Sequence, residues 1–145
     1  MRKMIFVNAT DVRKKFSLFI DKAVREKPVF IRRTRDTLVL ARLDLLNALV
    51  DNYTFTAERF VESDGSITLS SDQIDVIANA PTEAEAVAEL ASDLREYAMD
   101  YYDHFSEWSV APNRKGHLPY VIKLLITNDL LAIEKMISIN DVAGG

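Results

Sequence analysis

The chain reads as an α+β protein built from two modules of opposite charge. Three observations predict this. Residues 1–50 carry twelve Lys/Arg against five Asp/Glu, a formal +7, and residues 51–145 carry six against seventeen, a formal −11, so the net −4 conceals a division. In both halves short apolar or alternating runs, the mark of strands, interleave with stripes of helical period. Turn signals such as Lys27-Pro28 and Asp64-Gly65 fall between these runs rather than inside them.

Composition narrows the class. A length of 145 residues suits one domain or two small ones, and an apolar share of 48% suits a folded chain. With no Cys, disulfides, thiolate metal sites and cysteine nucleophiles are excluded. The apolar run after Met1-Arg2-Lys3 is too short for a signal segment, and no stretch approaches the 18 apolar residues of a membrane span. A soluble, cytoplasmic protein is expected, without membrane association.

In the basic module, Met4 to Val7 suits a short strand. Asn8 can cap a helix, with Asp11 three residues on as an acidic variant of the capping box. Val12, Phe16, Phe19, Ile20, Ala23 and Val24 then fall on one stripe, which predicts a single amphipathic helix closed by Lys27-Pro28. Val29 to Ile31 begins a strand, Arg32 to Asp36 forms the polar turn region, and Thr37 to Arg42 returns as a second strand. Leu43 to Val50 reads as a short helix. Fifty residues bury little surface alone, so a partner copy is expected.

Arg13, Lys14 and Lys15 sit near the start of the first helix, where cations oppose the helix dipole unless an anion binds there. Arg32, Arg33 and Arg35 cluster at the hairpin. The run VNATDVRKKFSLFIDKAVREKPVFIRRTRDTLVLARLDLLNAL resembles the N-terminal domain of the Phd/YefM family of type II antitoxins. The resemblance lies in an apolar strand, then N-A-T-D-V-R, an aromatic three residues on, a P-V-F-I-R-R strand and an L-V-L-A strand leading into a helix. Many members have a small residue, often Gly, in the hairpin turn, where this chain has Arg35-Asp36. The resemblance implies a homodimer that binds operator DNA and represses its own operon. It places the DNA-contacting arginines at Arg13 and Arg33, with Asn8 and Thr10 at polar positions of the helix start. Charge alone adds Arg2, Lys3, Lys14 and Arg35.

The acidic module, about 53–138, opens with alternation from Tyr53 to Glu62. Asp64-Gly65 turns the chain, Ile67 and Leu69 continue, and Ile74 to Ile77 reads as a third strand, giving a three-stranded sheet. Thr82 with Glu85 is a capping box that opens a long helix. Its apolar stripe runs from Val87 to Trp108. Glu85, Glu89, Asp93, Glu96, Asp100, Asp103 and Glu107 make a continuous acidic stripe on the opposite side. Strands followed by a T-x-x-E-A helix resemble a HicB-like half-domain, found in another antitoxin family. Leu118 to Ile126 predicts a nearly all-apolar helix, either core or in part a partner-binding surface. Thr127 to Asp129 caps a last short helix reaching Met136 and Ile137, and residues 139–145 are read as a flexible tail.

Together with the resemblance, these features predict an antitoxin that neutralises a cognate toxin, one with a basic surface, and that autoregulates transcription. Toxin contacts are expected at Glu89, Asp93, Glu96 and Asp100, with Leu118, Tyr120, Leu130 and Ile133 as apolar anchors. The alternative is a solitary DNA-binding regulator whose acidic domain serves oligomerisation or an effector. Catalysis, a cofactor and a metal are not expected. Asp100 and His104 are spaced i, i+4, but no third ligand has telling spacing.

Overall fold

The computed structural model describes residues 5–127 and 129–142. It is a mixed α+β protein with two small sheets and, among the described residues, seven α-helices. The chain divides into two compact units, one ending at Leu49 and the other starting at Val50.

In unit 1 strand β1 (Phe6–Asn8) lies parallel to β2 (Val29–Arg33), which pairs antiparallel with β3 (Asp36–Leu40). Asn8 ends β1 and caps helix α1 (Ala9–Lys14), its Oδ1 accepting from the Thr10 N–H at 2.9 Å. The expected single helix is in fact two. Lys15, at φ −124° and ψ 44°, separates α1 from α2 (Phe16–Arg25). Helix α3 (Leu43–Leu49) follows β3 and has no buried residue. The buried side chains of this unit are Ala23, Val29 and Ile31, with Val7, Ala9, Val12, Phe19 and Leu40 packed against them.

The hairpin is tighter than expected. Arg33 pairs with Asp36, so Thr34 and Arg35 alone make the turn, and the second strand runs 36–40 rather than 37–42. Thr34 carries the left-handed backbone, at φ 53°. A β-branched residue is strained there, because its Cβ crowds the neighbouring carbonyl.

In unit 2 the sheet has four strands in the order β6-β5-β4-β7, not the expected three. Strands β4 (Phe55–Val61) and β5 (Ile67–Ser71) are joined through a turn in which Gly65 takes φ 85°. Hydrogen bonds from Ser66 Oγ and N–H, at 2.6 and 2.9 Å, hold the Asp64 carboxyl below its ordinary range. Strand β6 covers Ile77–Ala80 instead of 74–77. Ile74 is fully buried, but as a plug in the turn before β6, and the inward residues of β6 are the small Ala78 and Ala80. Small residues there let the long helix come close to the sheet.

That helix, α4 (Glu83–Asp103), is capped as expected, with Thr82 Oγ1 accepting from the Glu85 N–H at 3.2 Å. It stops at His104 instead of continuing, and α5 (Phe105–Trp108) is a separate turn. A 3-10 turn at Lys115–His117 leads into α6 (Leu118–Ile126), and Asp129 caps α7 (Leu130–Lys135). The chain then enters β7 (Ile137–Asp141), parallel to β4, where the sequence reading had a helix end and a tail. Ile137 and Ile139 face the core while Ser138 and Asn140 are exposed. Arg59 on β4 ties this corner together, 2.8 Å from Glu83 at the start of α4 and 3.3 Å from Asp141 at the end of β7.

The core of unit 2 joins Phe55, Ala57 and Leu69 of the sheet to Leu90, Leu94 and Tyr101 of α4, to Val121 and Leu124 of α6 and to Ile133 of α7. Helix α6 therefore supplies core, which resolves the open alternative for its most buried face. Lys123, also buried, sends its Nζ to within 3.7 Å of Asp51. An aromatic layer closes the C-terminal end of α4. The Tyr101 hydroxyl donates toward the carbonyls of Arg114, at 3.1 Å, and Trp108, at 3.3 Å. Trp108 meets both the His104 ring, stacked at 4.8 Å, and the Arg114 guanidinium, 3.7 Å from its centroid. Tyr97 Oη and His117 Nδ1 share a 2.6 Å hydrogen bond.

Two predictions come from this packing. Thr34→Asn keeps a short polar side chain and tolerates the left-handed backbone, so it should stabilise unit 1 by about 1 kcal/mol. Denaturant unfolding checks this: the midpoint should rise with the slope unchanged, and a fall would mean that the Thr34 side chain makes a contact worth more than the strain. The second concerns His117. Its pKa is lowered, first by desolvation and also by Arg114, with Asp75 opposing. The fold thus favours the neutral ring. Stability should be full above the ordinary histidine value of 6.5 and should decline as pH falls from there through the lowered folded value. Thermal melts between pH 7.5 and 5.5 should show a steeper loss for the wild type than for His117→Gln; equal slopes would remove His117 as the cause.

Candidate functional site

In unit 1 the local fold sorts the basic residues by face. Arg13 lies on α1, one turn from the cap, and Arg33 lies at the end of β2. Both line one open groove of about 470 Å³ whose floor is Ala9, Val12, Phe16, Ile31 and Leu38. The helix start and the hairpin, distant in sequence, are brought together by the parallel pairing of β1 with β2. Arg33 Nη2 also meets Asp36 Oδ2 at 3.0 Å, with both side chains mostly exposed. An exposed pair of this kind is worth about 0–1 kcal/mol, too little to keep the guanidinium from a phosphate.

Arg32 points the other way, as its neighbours in a strand must. Its guanidinium sits 4.7 Å from the Phe6 ring centroid, and with Asn8 and Thr34 it lines a second groove of about 370 Å³. Asn8 is therefore beside Arg32 rather than in the groove of Arg13 and Arg33, and its side-chain oxygen is engaged in capping α1. Period-2 alternation along β2 could have separated Arg32 from Arg33 in the sequence. Thr10, Lys14 and Arg35 are exposed. Arg2 and Lys3 lie outside the described residues.

In unit 2 Glu89, Glu96 and Asp100 are exposed on α4 and Asp93 is half-buried. Leu118 and Tyr120 are half-buried against the core, and Leu130 is exposed. Ile133 is a correction: it has no exposed surface, because α7 turns it inward against the core, so it has nothing to offer a partner. His104 Nδ1 lies 2.9 Å from the Asp100 carbonyl, not its carboxylate. Among the described residues no group of three His, Cys, Asp or Glu is arranged to hold a metal ion, and no helix is long and apolar enough to cross a membrane.

The comparisons agree over nearly the whole chain. A PHD-like family model, described as antitoxin of toxin-antitoxin, RelE / RelB, TA system, matches residues 3–139. A crystal structure from Syntrophomonas wolfei subsp. wolfei, described as an antitoxin part of a proposed toxin/antitoxin system, is similar at a TM-score of 0.89 and 35% identity, covering 96% of this chain and 100% of that one. No functionally curated protein matches. With a family match spanning both units and a solved relative of nearly the same length and the same fold, the chain belongs to the PHD-like family of toxin–antitoxin antitoxins.

Proposed function

We propose that this antitoxin binds and neutralises a cognate toxin and, as a homodimer, represses its own operon through operator DNA. Unit 1 is read as a Phd/YefM-like dimerisation and DNA-binding domain, and unit 2 as the toxin-neutralising domain. The order of β4, β5, β6 and α4 also suits the HicB-like reading of residues 53–108. The observation that carries the DNA reading is the shared groove of Arg13 and Arg33, two guanidinium groups converging from separate elements on a unit whose residues carry net positive charge. Lys14 and Arg35 extend the basic surface, Thr10 adds a polar group at the helix start, and Asn8, beside Arg32, would meet phosphate on that side through its side-chain amide N–H.

Dimerisation is supported by a thin core. Only three apolar side chains of unit 1 are buried among the described residues, while Leu18, Val24 and Val39, none of which lines the groove of Arg13 and Arg33, are each about half exposed. Covering them with a second copy would supply the apolar burial that so short a unit lacks.

Light scattering on the full chain should give twice the 16.4 kDa chain mass at micromolar concentration; a monomeric mass would end the homodimer reading. Binding to DNA from upstream of its own operon tests the groove. Loss of a phosphate-contacting arginine should weaken binding to all sequences and lower the salt slope by roughly one, whereas loss of a base-contacting arginine should relax specificity by about 1–3 kcal/mol. Unchanged affinity in the Arg13→Ala, Arg33→Ala double variant would reject the assignment.

A further inference from the structure

Helix α4 buries Leu90, Leu94, Ala98 and Tyr101, yet two large apolar side chains on its last turns point to solvent: Met99 is 48% and Tyr102 66% exposed. Phe105, just past the helix end, adds a further half-exposed ring, packed edge-on against Tyr101 at 5.9 Å. Neither Met99 nor Tyr102 belongs to the core of unit 2 or packs against it. Helical spacing places Met99 beside Glu96 and Asp103, and Tyr102 beside Met99. The apolar pair therefore adjoins the acidic stripe on one rigid helix.

We propose that this end of α4, centred on Met99 and Tyr102, is the apolar hot spot by which the antitoxin docks on a basic protein surface, that of its toxin. The inference rests on the toxin-neutralising reading above and replaces the anchor expected at Ile133, which the core occupies, and those expected at Leu118 and Tyr120, which are half-buried against it. Charge selects the occupant. Between Glu83 and Asp103 the helix carries seven carboxylates and one cation, Arg95. A second copy meeting this face across a two-fold axis would set acidic stripe against acidic stripe. A basic surface instead relieves the repulsion between Glu96, Asp100 and Asp103 and steers encounter, while Tyr102 and Met99 enter a pocket and hold the complex. The exposed Leu130 and Leu131 lack this setting, since the neighbouring Asp129, Glu134 and Lys135 give mixed charge.

The test uses the full chain and, as probe, the protein encoded by the adjacent open reading frame of its operon. Affinity and dissociation rate are measured for the wild type, for Met99→Ala/Tyr102→Ala and for Leu130→Ala/Leu131→Ala, with circular dichroism and melting of each. Because both sites are exposed, all three should fold alike; Met99→Lys/Tyr102→Lys serves if the alanine variant does not. The α4 variant should bind at least about 30-fold more weakly, mainly through faster dissociation, and the α7 variant within about 3-fold of wild type. An α4 variant that binds like the wild type, or an α7 variant that loses more, overturns the proposal while leaving the toxin reading intact. A wild type that does not bind the adjacent protein overturns both. If the α4 variant instead alters only the mass of the free chain, the occupant is another copy and the proposal is wrong.

Discussion

Leu90, Leu94, Ala98 and Tyr101 lie along one face of α4 with almost no exposed surface, and three separate parts of the chain are held through them. The sheet lies beneath, α6 and α7 pack alongside, and the loop from Trp108 to Arg114 is fastened by the Tyr101 hydroxyl. Each large side chain buried in this way contributes about 1.5–3 kcal/mol. Once that face is committed, the opposite face must meet solvent. Glu83 is paired with Arg59, and the other six carboxylates of the helix stand together where water screens them. The core thus fixes which face of α4 the acidic surface occupies.

The two units solve the burial problem differently. Unit 2 builds a core that runs through its sheet and three helices, with the parallel strand β7 closing it from the far end of the chain. Unit 1 leaves α3 without a buried residue and half its apolar side chains in contact with water. The groove that brings Arg13 and Arg33 together is floored by part of that exposed apolar surface, Phe16 and Leu38. Exposed apolar surface and positive charge therefore share one groove in unit 1, whereas in unit 2 the acidic stripe sits on a helix whose other face is buried in the core.

The helix caps at Asn8 and Thr82, the turn at Gly65 and the inward face of α4 were legible in the sequence because each depends on interactions within a few residues. The errors have a common character. The break at Lys15 leaves the apolar spacing of Val12, Phe16 and Phe19 unchanged, so periodicity could not show it. Strand β6 lies three residues beyond the expected 74–77 because its inward residues are two alanines, while the more conspicuous Ile74 serves as a plug. Strand β7 carries a period-2 signal, Ile137-Ser138-Ile139-Asn140, but its partner β4 lies some eighty residues away, and no local rule announces such a pairing.

The sequence by itself determined the division of charge, the local elements with their caps and turns, and the acidic stripe, since these follow from composition and from spacing along the chain. Tertiary structure alone decided which side chains were available for function. It placed Arg13 and Arg33 on one groove and Arg32 on another, took Ile133 into the core, and left Met99 and Tyr102 outside it. The physical reason is that exposure belongs to the packed arrangement. A residue on an apolar stripe is core or contact surface according to what the rest of the chain brings against it, and those neighbours come from distant parts of the sequence.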